Sequence, residues 1–265
     1  MRTFVINLEG QTDRHDSTTS NLNAAHVEFS IFRAISGKNT YKEYFNSINN
    51  WSCLLETGHF ITPSEIGCYA SHLTLWKKCV ELDEPIIIME DDFLLGSDFH
   101  KTITFANSLI EHCGFIRLEP IERRWARKPG LEPVIVLENN SSKLIYQRMP
   151  SARTTCYAIT PTCAAALISH SKTVSCPVDH MIRKHWVHGQ SIFAITPPAI
   201  ELADLASQSS IGDRNKHIAR YLVSPFRLLH RYAERRRAKR SAGQQLTAIK
   251  QNPAFDKYSS NTLPK

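Results

Sequence analysis

The chain alternates short apolar runs with polar or amphipathic segments, which is the pattern of an α/β protein. The first run, Thr3 to Leu8, is rich in β-branched residues and predicts a buried strand. The polar segment from Gln11 to Ala25 predicts an exposed helix, and Glu28 to Ala34 predicts a second strand. Strand, helix and strand follow one another within about thirty residues, so we expect a βαβ unit at the N terminus.

A sharper helix signal begins at Thr62. Thr62 is an N-cap residue, Pro63 suits the first helical position, and Glu65 completes a capping box. Apolar residues then recur at helical spacing up to about Leu82, and we expect them to form a buried stripe of Ile66, Ala70, Leu73, Trp76 and Val80. Residues 36–61 have no strong period and are interpreted as a loop or small helical insert beside the active site.

Ile86 to Met89 is a continuous apolar run, as expected of a parallel strand covered by helices on both faces. Further strands are predicted at 114–118, 134–137, 144–148, 154–159 and 191–195, and further helices at 99–112, 161–169 and 178–187. The whole pattern therefore favours an α/β fold around a central, mostly parallel sheet.

The composition is that of an ordinary globular protein. The 265 residues are 42% hydrophobic and 22% charged, which excludes wholesale disorder and the fibrous classes. No apolar run approaches the roughly 18 residues that cross a bilayer, and Met1 to Gly10 is too short and polar for a secretory signal. We therefore expect a cytoplasmic protein.

The seven cysteines have neither zinc-site nor redox spacing and are expected to be reduced.

The net charge of +7 comes from one segment. Residues 214–240 contain ten Lys or Arg and one Glu, which leaves 22 basic and 24 acidic residues elsewhere. Apolar residues such as Ile218 and Leu229 form a stripe among the arginines, interrupted near Pro225, and predict a helix on an anionic membrane surface. A helix packed on the domain with a solvated charged face is the alternative. The slightly acidic remainder shows no nucleic-acid module, so nucleic acid is not an expected partner.

Glu90, Asp91 and Asp92 directly follow the apolar strand at Ile86 to Met89. Adjacent carboxylates repel one another unless a cation lies among them, and open α/β sheets bind ligands at the carboxyl ends of their strands. Alternation places Glu90 and Asp92 on one side of the chain and Asp91 on the other. Such oxygen ligands suit Mg²⁺ or Mn²⁺. The alternatives for these three residues are a solvated loop, a helix N-cap, or the metal site of a phosphatase or nuclease.

Several motifs occur in a recognisable order. They are Val5-Ile6-Asn7-Leu8 with Asp13-Arg14, Phe32-Arg33-Ala34-Ile35-Ser36-Gly37, Thr62 to His72, Ile87 to Asp92, Tyr157 to Pro161, Pro177 to Asp179, and Thr196 to Pro198. In this order and spacing they resemble glycosyltransferase family 25, the bacterial lipopolysaccharide and lipooligosaccharide glycosyltransferases, over residues 1–212. The resemblance implies a GT-A-like nucleotide-sugar-binding fold, a DxD-like metal site and an inverting transfer to a saccharide. The expected enzyme moves galactose or glucose from a UDP-hexose to the lipooligosaccharide core.

The resemblance also assigns residues to the site. The DxD-like motif is Glu90-Asp91-Asp92, with Asp92 as the direct ligand of Mn²⁺ or Mg²⁺. Asp91 or Glu90 then binds the ribose, or the metal through water. His72 and Ser71 are expected to line or brace the sugar site.

Four further residues complete the predicted site. Asn7 is placed to hydrogen-bond the base, and Arg14 to approach the nucleotide or its diphosphate, although an exposed helix arginine explains Arg14 equally well. Glu65 lies on the same helix face as His72, but a capping box already employs its side chain. Asp179 precedes a predicted helix and matches a position that the family carries, so it is the candidate general base. A helix N-cap is its alternative role, and Glu119 and Glu201 are the other candidates for the base.

The predicted organisation has three parts: a glycosyltransferase domain at 1–212, a basic amphipathic helical segment at 213–241 and a flexible tail at 242–265. The enzyme would work at the cytoplasmic face of the inner membrane, attached through residues 214–240. A phosphatase or nuclease using the same carboxylates is one competing function. A peripheral membrane-binding or nucleic-acid-binding protein without catalysis is another.

Overall fold

The structure is a computed structural model that describes residues 1–8, 12–37, 41–121, 130–139, 141–202 and 224–255, without the side chains of residues 12–14. The strands are β1 Arg2–Asn7, β2 Phe29–Arg33, β3 Ser47–Ile48, β4 Ile86–Glu90, β5 Phe93–Leu95, β6 Phe115–Arg117, β7 Val134–Asn139, β8 Ser142–Tyr146, β9 Cys156–Ile159, β10 Thr173–Val174, β11 Phe193–Thr196 and β12 Ile200–Leu202. The helices are α1 Thr12–Ala24, α2 Tyr41–Tyr44, α3 Asn50–Thr57, α4 Pro63–Leu82, α5 Phe99–Cys113, α6 Pro161–Ser169, α7 Val178–Arg183, α8 His185–His188 and α9 Ser224–Lys250.

Eight strands form the central sheet in the order β2-β1-β4-β9-β6-β11-β8-β7. Strand β1 pairs in parallel with β2 and with β4, and β6 pairs in parallel with β11. Strand β9 lies between β4 and β6, antiparallel to both, and the β11-β8 and β8-β7 pairs are also antiparallel. The α/β class, the central sheet and the N-terminal βαβ unit are confirmed. Strands β5 and β12 form a separate small sheet, as do β3 and β10.

Strand β4 lies at the centre of the core. Ile87 and Met89 pack into one apolar cluster with α1 and α5, whereas Ile86 and Ile88 pack into a second cluster with α4 and α6. Alternate residues point to opposite faces of a sheet, so both faces of β4 are covered, as the uninterrupted apolar run predicts. This burial fixes the direction in which the acidic residues leave the sheet.

Helix α4 begins as its sequence dictates. The Thr62 hydroxyl accepts a hydrogen bond from the Glu65 amide, and the Glu65 carboxylate accepts one from the Thr62 amide. Four of the five residues predicted for the buried stripe are buried, but Val80 is exposed and that prediction is wrong. In the last turn Cys79, rather than Val80, faces the core.

The C-terminal helix extends further than predicted. Pro225 lies in the first turn of α9, and the predicted helical residues before Ser224 lie outside the described residues. The helix continues to Lys250, and Ala242, Ile249 and Phe255 are buried in the core cluster that contains α5. The expectation of a loose chain after Ala242 is therefore wrong for residues 242–255. The rest of the predicted tail, and residues 213–223, lie outside the described residues.

A buried carboxylate holds α9 against the domain. Glu56, at the end of α3, accepts hydrogen bonds from His180 at 2.9 Å and His230 at 3.0 Å, and lies 3.1 Å from the Lys184 ammonium group. Burial would raise the pKa of the Glu56 carboxyl, but these partners lower it far below its ordinary value. Glu56 thus connects α3, α7 and α9.

No described helix has both the length and the hydropathy to span a bilayer.

Candidate functional site

The candidate site forms at the carboxyl ends of β1 and β4, which are paired in parallel. Nδ2 of Asn7 donates a hydrogen bond to Oδ2 of Asp91 at 2.8 Å, and the Thr18 hydroxyl donates to the Asp91 carbonyl at 3.3 Å. Asp91 therefore faces α1. Glu90 turns to the opposite face of the sheet, towards α4, as strand alternation predicts.

A buried chain of hydrogen bonds orients Glu90. Trp76 Nε1 donates to the Tyr157 hydroxyl at 2.9 Å, and that hydroxyl lies 2.8 Å from Nδ1 of His72. Nε2 of His72 lies 3.2 Å from Oε1 of Glu90. Both ring nitrogens of His72 are therefore engaged, and the aromatic residues set the position of the ring.

The hydrogen bonds to Glu90 leave one of its oxygens for a ligand. Thr154 also donates to Oε1, the atom that His72 contacts. Burial would raise the pKa of the Glu90 carboxyl, but His72 and Thr154 lower it, so the group is an anion at neutral pH. Within the described residues Oε2 has no hydrogen-bond partner.

Acidic side chains converge around Cys68. Burial raises the pKa of the Cys68 thiol well above its ordinary value, and the fields of four carboxylates raise it further: Glu90, Asp179, Glu65 and Asp92. These residues come from α4, α7 and the end of β4, so the structure brings together groups that lie far apart in the sequence. The negative charges of these four residues therefore act together on the thiol.

The donor set at this point suits a hard divalent cation. Ligand atoms of Cys68, His72 and Glu90 lie within 4.8 Å of one another. The raised pKa keeps the Cys68 sulfur protonated, and a neutral thiol is a poor metal ligand. The Glu90 carboxylate remains as the ionic oxygen donor of this group, and oxygen donors favour Mg²⁺ or Mn²⁺. Asp92 lies two residues further along the chain and is not part of this group.

Two of the predicted sugar-site residues have structural partners. The Glu65 carboxylate is buried and contacts His59 Nε2 at 3.0 Å, in addition to its capping bonds with Thr62. Burial would raise the pKa of Glu65, but His59 and Thr62 lower it. The Ser71 hydroxyl is fully buried and accepts the Ile35 amide at 2.8 Å. Ser71 thus holds the segment after β2 against α4.

The candidate base lies inside its helix. Asp179 is the second residue of α7, and its Oδ1 accepts a hydrogen bond from the backbone amide of His180 at 2.8 Å. Pro177 occupies the N-cap position, so Asp179 is not the N-cap. The side chain is half-buried, and its negative charge is one of those that raise the pKa of the Cys68 thiol.

The other two candidates for the base differ in accessibility. Glu119 is almost completely buried, and both of its oxygens are engaged, one by Arg117 at 2.7 Å and one by the Cys156 amide. Glu119 is therefore not available to a substrate hydroxyl. Glu201 lies in β12, paired with Leu94 of β5, and its side chain is exposed.

Arg14 belongs to α1, but its side chain lies outside the described residues. Sequence reasoning gave no functional role to Thr18, Thr154 or Tyr157 individually. Tyr157 falls inside a motif that carries the family resemblance, which was the available signal for it. Thr18 and Thr154 are ordinary polar residues in the sequence, and only the folded chain brings them to the acidic residues.

Comparison with known proteins gives one family match. The model described as glycosyltransferase family 25 (LPS biosynthesis protein) matches residues 1–182. That segment contains β1, α4, the acidic triplet and Asp179, and so includes every candidate site residue except Glu201.

Individual relatives match shorter parts of the chain. The procollagen lysyl hydroxylase and glycosyltransferase of Acanthamoeba polyphaga mimivirus is 32% identical over 62% of this chain and 19% of its own length. The procollagen galactosyltransferase 2 of Mus musculus is 28% identical over 38% of this chain and 17% of its own length. The lipooligosaccharide biosynthesis protein lic2B of Haemophilus influenzae is 31% identical over 37% of this chain and 36% of its own length. The matched segment is thus only a minor part of each relative.

Proposed function

The chain belongs to glycosyltransferase family 25, and from this premise we propose that it transfers galactose or glucose from a UDP-hexose to a lipooligosaccharide or lipopolysaccharide core. The observation that carries the proposal is the pair of fixed carboxylates at the carboxyl edge of the sheet, Glu90 held by His72 and Thr154 and Asp91 held by Asn7. That edge is where open α/β sheets bind nucleotides. Two of the relatives support the sugar and the acceptor, since one is a galactosyltransferase and another is a lipooligosaccharide biosynthesis protein.

In this proposal Asp92 and the free oxygen of Glu90 hold Mn²⁺ or Mg²⁺. The ion would neutralise the charge that develops on the departing diphosphate. The chain's own contribution is orientation, because His72 and Thr154 fix Oε1 of Glu90 and thereby direct Oε2 towards the ligand. Second-shell partners of this kind raise metal affinity by holding the ligand in place.

Asp179 is proposed as the general base of an inverting transfer. In such a transfer the acceptor hydroxyl attacks the sugar carbon from the face opposite the diphosphate, and its proton passes to the base. One Asp179 oxygen accepts the His180 amide, which orients the carboxylate and leaves the second oxygen for the acceptor hydroxyl. Asp91, held by Asn7, is proposed to contact the donor ribose, and Arg14 to approach the diphosphate.

Attachment to the cytoplasmic face of an anionic inner membrane is proposed for α9. Its first three turns expose Phe226, Leu228, Leu229 and Tyr232. Arg231, Arg236 and Arg237 are exposed among and after them. Exposed apolar side chains with neighbouring cations favour an anionic lipid surface, and each basic residue near it contributes up to about 1 kcal/mol.

Calorimetric titration of UDP, with and without Mn²⁺, tests the donor site. The parent protein should bind UDP in a metal-dependent manner, and Asp92→Asn should abolish the metal dependence. Asp83→Asn is the matched control, because it makes the same charge change at the opposite end of β4. Asp83 has a left-handed backbone with φ 52°, which asparagine adopts readily. Absence of UDP binding under every condition would overturn the proposed function.

A further inference from the structure

Strand β9 begins between the ends of two strands that run the other way. Both β4 and β6 are antiparallel to β9, so their carboxyl ends lie at the same edge of the sheet, one on each side of the start of β9. On one side the Glu90 amide donates to the Thr155 carbonyl at 2.9 Å. On the other side the Leu118 amide donates to the Cys156 carbonyl at 3.0 Å. The start of β9 therefore lies between Glu90, at the end of β4, and Glu119, just after β6.

Both hydrogen bonds to Oε1 of Glu90 depend on this part of the chain. The Thr154 hydroxyl, two residues before β9, donates to that atom directly. His72 contacts the same atom, and the other ring nitrogen of His72 contacts the hydroxyl of Tyr157, the second residue of β9. A displacement of residues 154–157 would therefore move both groups that orient the Glu90 carboxylate.

The Glu119 carboxylate holds the start of β9 from the other side. Its Oε2 accepts a hydrogen bond from the backbone amide of Cys156 at 3.2 Å. Its Oε1 accepts one from Nη1 of Arg117 at 2.7 Å, and the same nitrogen donates to the Ser151 hydroxyl at 3.2 Å. The ion pair thus fixes the chain at two points, one on each side of Thr154.

The Arg117–Glu119 pair is poorly suited to a purely stabilising role. The two side chains are 2% and 1% exposed, and the burial of both charges costs free energy that a single ion pair rarely recovers. Burial raises the pKa of the Glu119 carboxyl, and Arg117 and the Cys156 amide, which lower it, do not outweigh that effect. Nε and Nη2 of Arg117 are also buried, and they have no hydrogen-bond partner within the described residues. Fold stability alone therefore does not account for the pair.

We propose that Glu119 is a positioning residue for the divalent-cation site. With Arg117 it holds residues 151–157 in place, and these residues orient Glu90 through its Oε1, so that Oε2 faces the ion. Glu119 itself touches neither the ion nor the substrate, which distinguishes it from a general base. This inference rests on the proposed function, because it assumes that Glu90 is a ligand of the ion.

Glu119→Gln tests this role, with Mn²⁺ titrated calorimetrically into the full chain in the presence of UDP. Glutamine keeps the shape of the side chain but replaces one acceptor oxygen by a donor nitrogen, so it cannot satisfy both Arg117 and the Cys156 amide. We expect the Mn²⁺ affinity to fall roughly tenfold, as for the loss of other groups that hold a metal ligand in place. Glu138→Gln is the matched control, because it makes the same change in an exposed ion pair with Lys143 on β7. It should leave the affinity unchanged.

Turnover separates positioning from acid–base catalysis. If Glu119 acts only on metal affinity, turnover of Glu119→Gln at saturating Mn²⁺ should return to within about twofold of the parent. Added Mn²⁺ would not restore the loss of a general base. Thr154→Val gives a second measurement, because Glu119 is proposed to act partly through Thr154. The combined variant should lose less Mn²⁺ affinity than the product of the two separate losses.

The double variant Arg117→Met/Glu119→Leu covers the case in which Glu119→Gln does not fold. It removes both charges together, which a folded protein tolerates better than the loss of one buried partner. The circular dichroism spectrum and the thermal midpoint should stay close to those of the parent. The Mn²⁺ affinity should nevertheless fall, because the contacts with Ser151 and Cys156 are lost.

The outcomes separate this inference from the proposed function. Mn²⁺-dependent UDP binding in the parent, with unchanged Mn²⁺ affinity in the folded variants of Glu119, would overturn the positioning role and leave the transferase intact. A loss of turnover that saturating Mn²⁺ does not restore would also overturn it, since Glu119 would then act in the chemical step. Absence of Mn²⁺-dependent UDP binding in the parent would overturn the metal site on which both proposals rest.

Discussion

Nε2 of His72 lies 3.2 Å from Oε1 of Glu90, which ties the first acidic residue after β4 to the middle of α4. His72 is fully buried, and its other ring nitrogen contacts Tyr157. His72 lies on α4, the helix directly before β4 in the chain, and therefore determines where the Glu90 carboxylate points. This relationship makes α4 a part of the candidate site as well as of the core.

Replacing His72 tests that relationship. His72→Phe keeps a buried ring but removes the donor to Glu90, so we expect Mn²⁺ affinity to fall roughly 10–100-fold, as for other second-shell losses. Calorimetric titration of Mn²⁺ in the presence of UDP measures the change. Trp76→Phe is the control, since it removes the hydrogen bond to Tyr157 and leaves the His72 contact in place. Unchanged Mn²⁺ affinity in His72→Phe would argue against Glu90 as a ligand.

Asp179→Asn tests the proposed base. Asparagine can still accept the His180 amide through its side-chain oxygen, so the fold and UDP-hexose binding should be preserved. Turnover should fall at least about 100-fold, because asparagine cannot take up the acceptor proton. Steady-state kinetics and the anomeric configuration of the parent's product, read by proton NMR, check the assignment. A retained configuration would exclude the inverting role of Asp179.

Gly37 and Gly243 form a matched pair for a stability test. A Cβ at Gly37 would lie 1.7 Å from the Pro63 carbonyl, whereas one at Gly243 on α9 would meet nothing within 4 Å. Gly37→Ala should therefore destabilise the fold by about 1–3 kcal/mol or more. Gly243→Ala should stabilise it by about 0.5–1 kcal/mol through helix propensity. Urea unfolding monitored by circular dichroism gives both values. If Gly37→Ala leaves the free energy of unfolding unchanged, the segment around Gly37 can move away from α4 without cost.

Acid should destabilise the protein through His188. Nε2 of His188 donates to the Ile182 carbonyl at 2.9 Å, which leaves Nδ1 to accept the Gln190 amide at 3.2 Å. Burial lowers the pKa of His188 from 6.5 to about 4. The unfolded chain therefore takes up a proton at a higher pH than the folded chain, and stability is lost as the pH falls from 6.5 to 4. The loss amounts to at most about 3 kcal/mol.

The His188→Gln variant separates this effect from the other titrating groups. Glutamine offers one donor and one acceptor but no titratable nitrogen. The free energy of unfolding of the His188→Gln variant should be lower than that of the parent at pH 7. It should also depend less steeply on pH between 6.5 and 4.5. Urea unfolding at several pH values measures both slopes. Parallel curves for the two proteins would show that His188 does not titrate in this range.

Substitution, rather than truncation, tests the membrane role of α9. Deleting the helix would uncover the core around Ala238, Ala242 and Ile249. Leu228→Ser with Leu229→Ser removes only exposed apolar surface and should weaken binding to phosphatidylserine-containing vesicles about tenfold or more. Ile135→Ser, an exposed change on β7, should have no effect on vesicle sedimentation. Turnover on a soluble acceptor should be unchanged in both variants. If the Leu228→Ser/Leu229→Ser variant binds vesicles as well as the parent does, the membrane contact lies elsewhere on the protein.

The sequence by itself determined the elements whose signals are local. The capping box of Thr62 and Glu65 starts α4 at the predicted residue, because the two side chains need only their own turn of backbone. The apolar run before Glu90 predicts a strand buried on both faces, and alternation predicts that Glu90 and Asp91 separate. These results follow from backbone geometry, which depends on neighbours a few residues away.

Only the tertiary structure decided which distant residues contact one another. Strand β9 enters the sheet antiparallel between β4 and β6, and this pairing brings Tyr157 to His72 across 85 residues of chain. The burial of Ala242 and Ile249 likewise depends on where α9 docks, and Glu56 fixes that docking through contacts with two other helices. Such contacts leave no periodic trace in the sequence, because burial and hydrogen bonding between distant segments depend on how the whole chain packs.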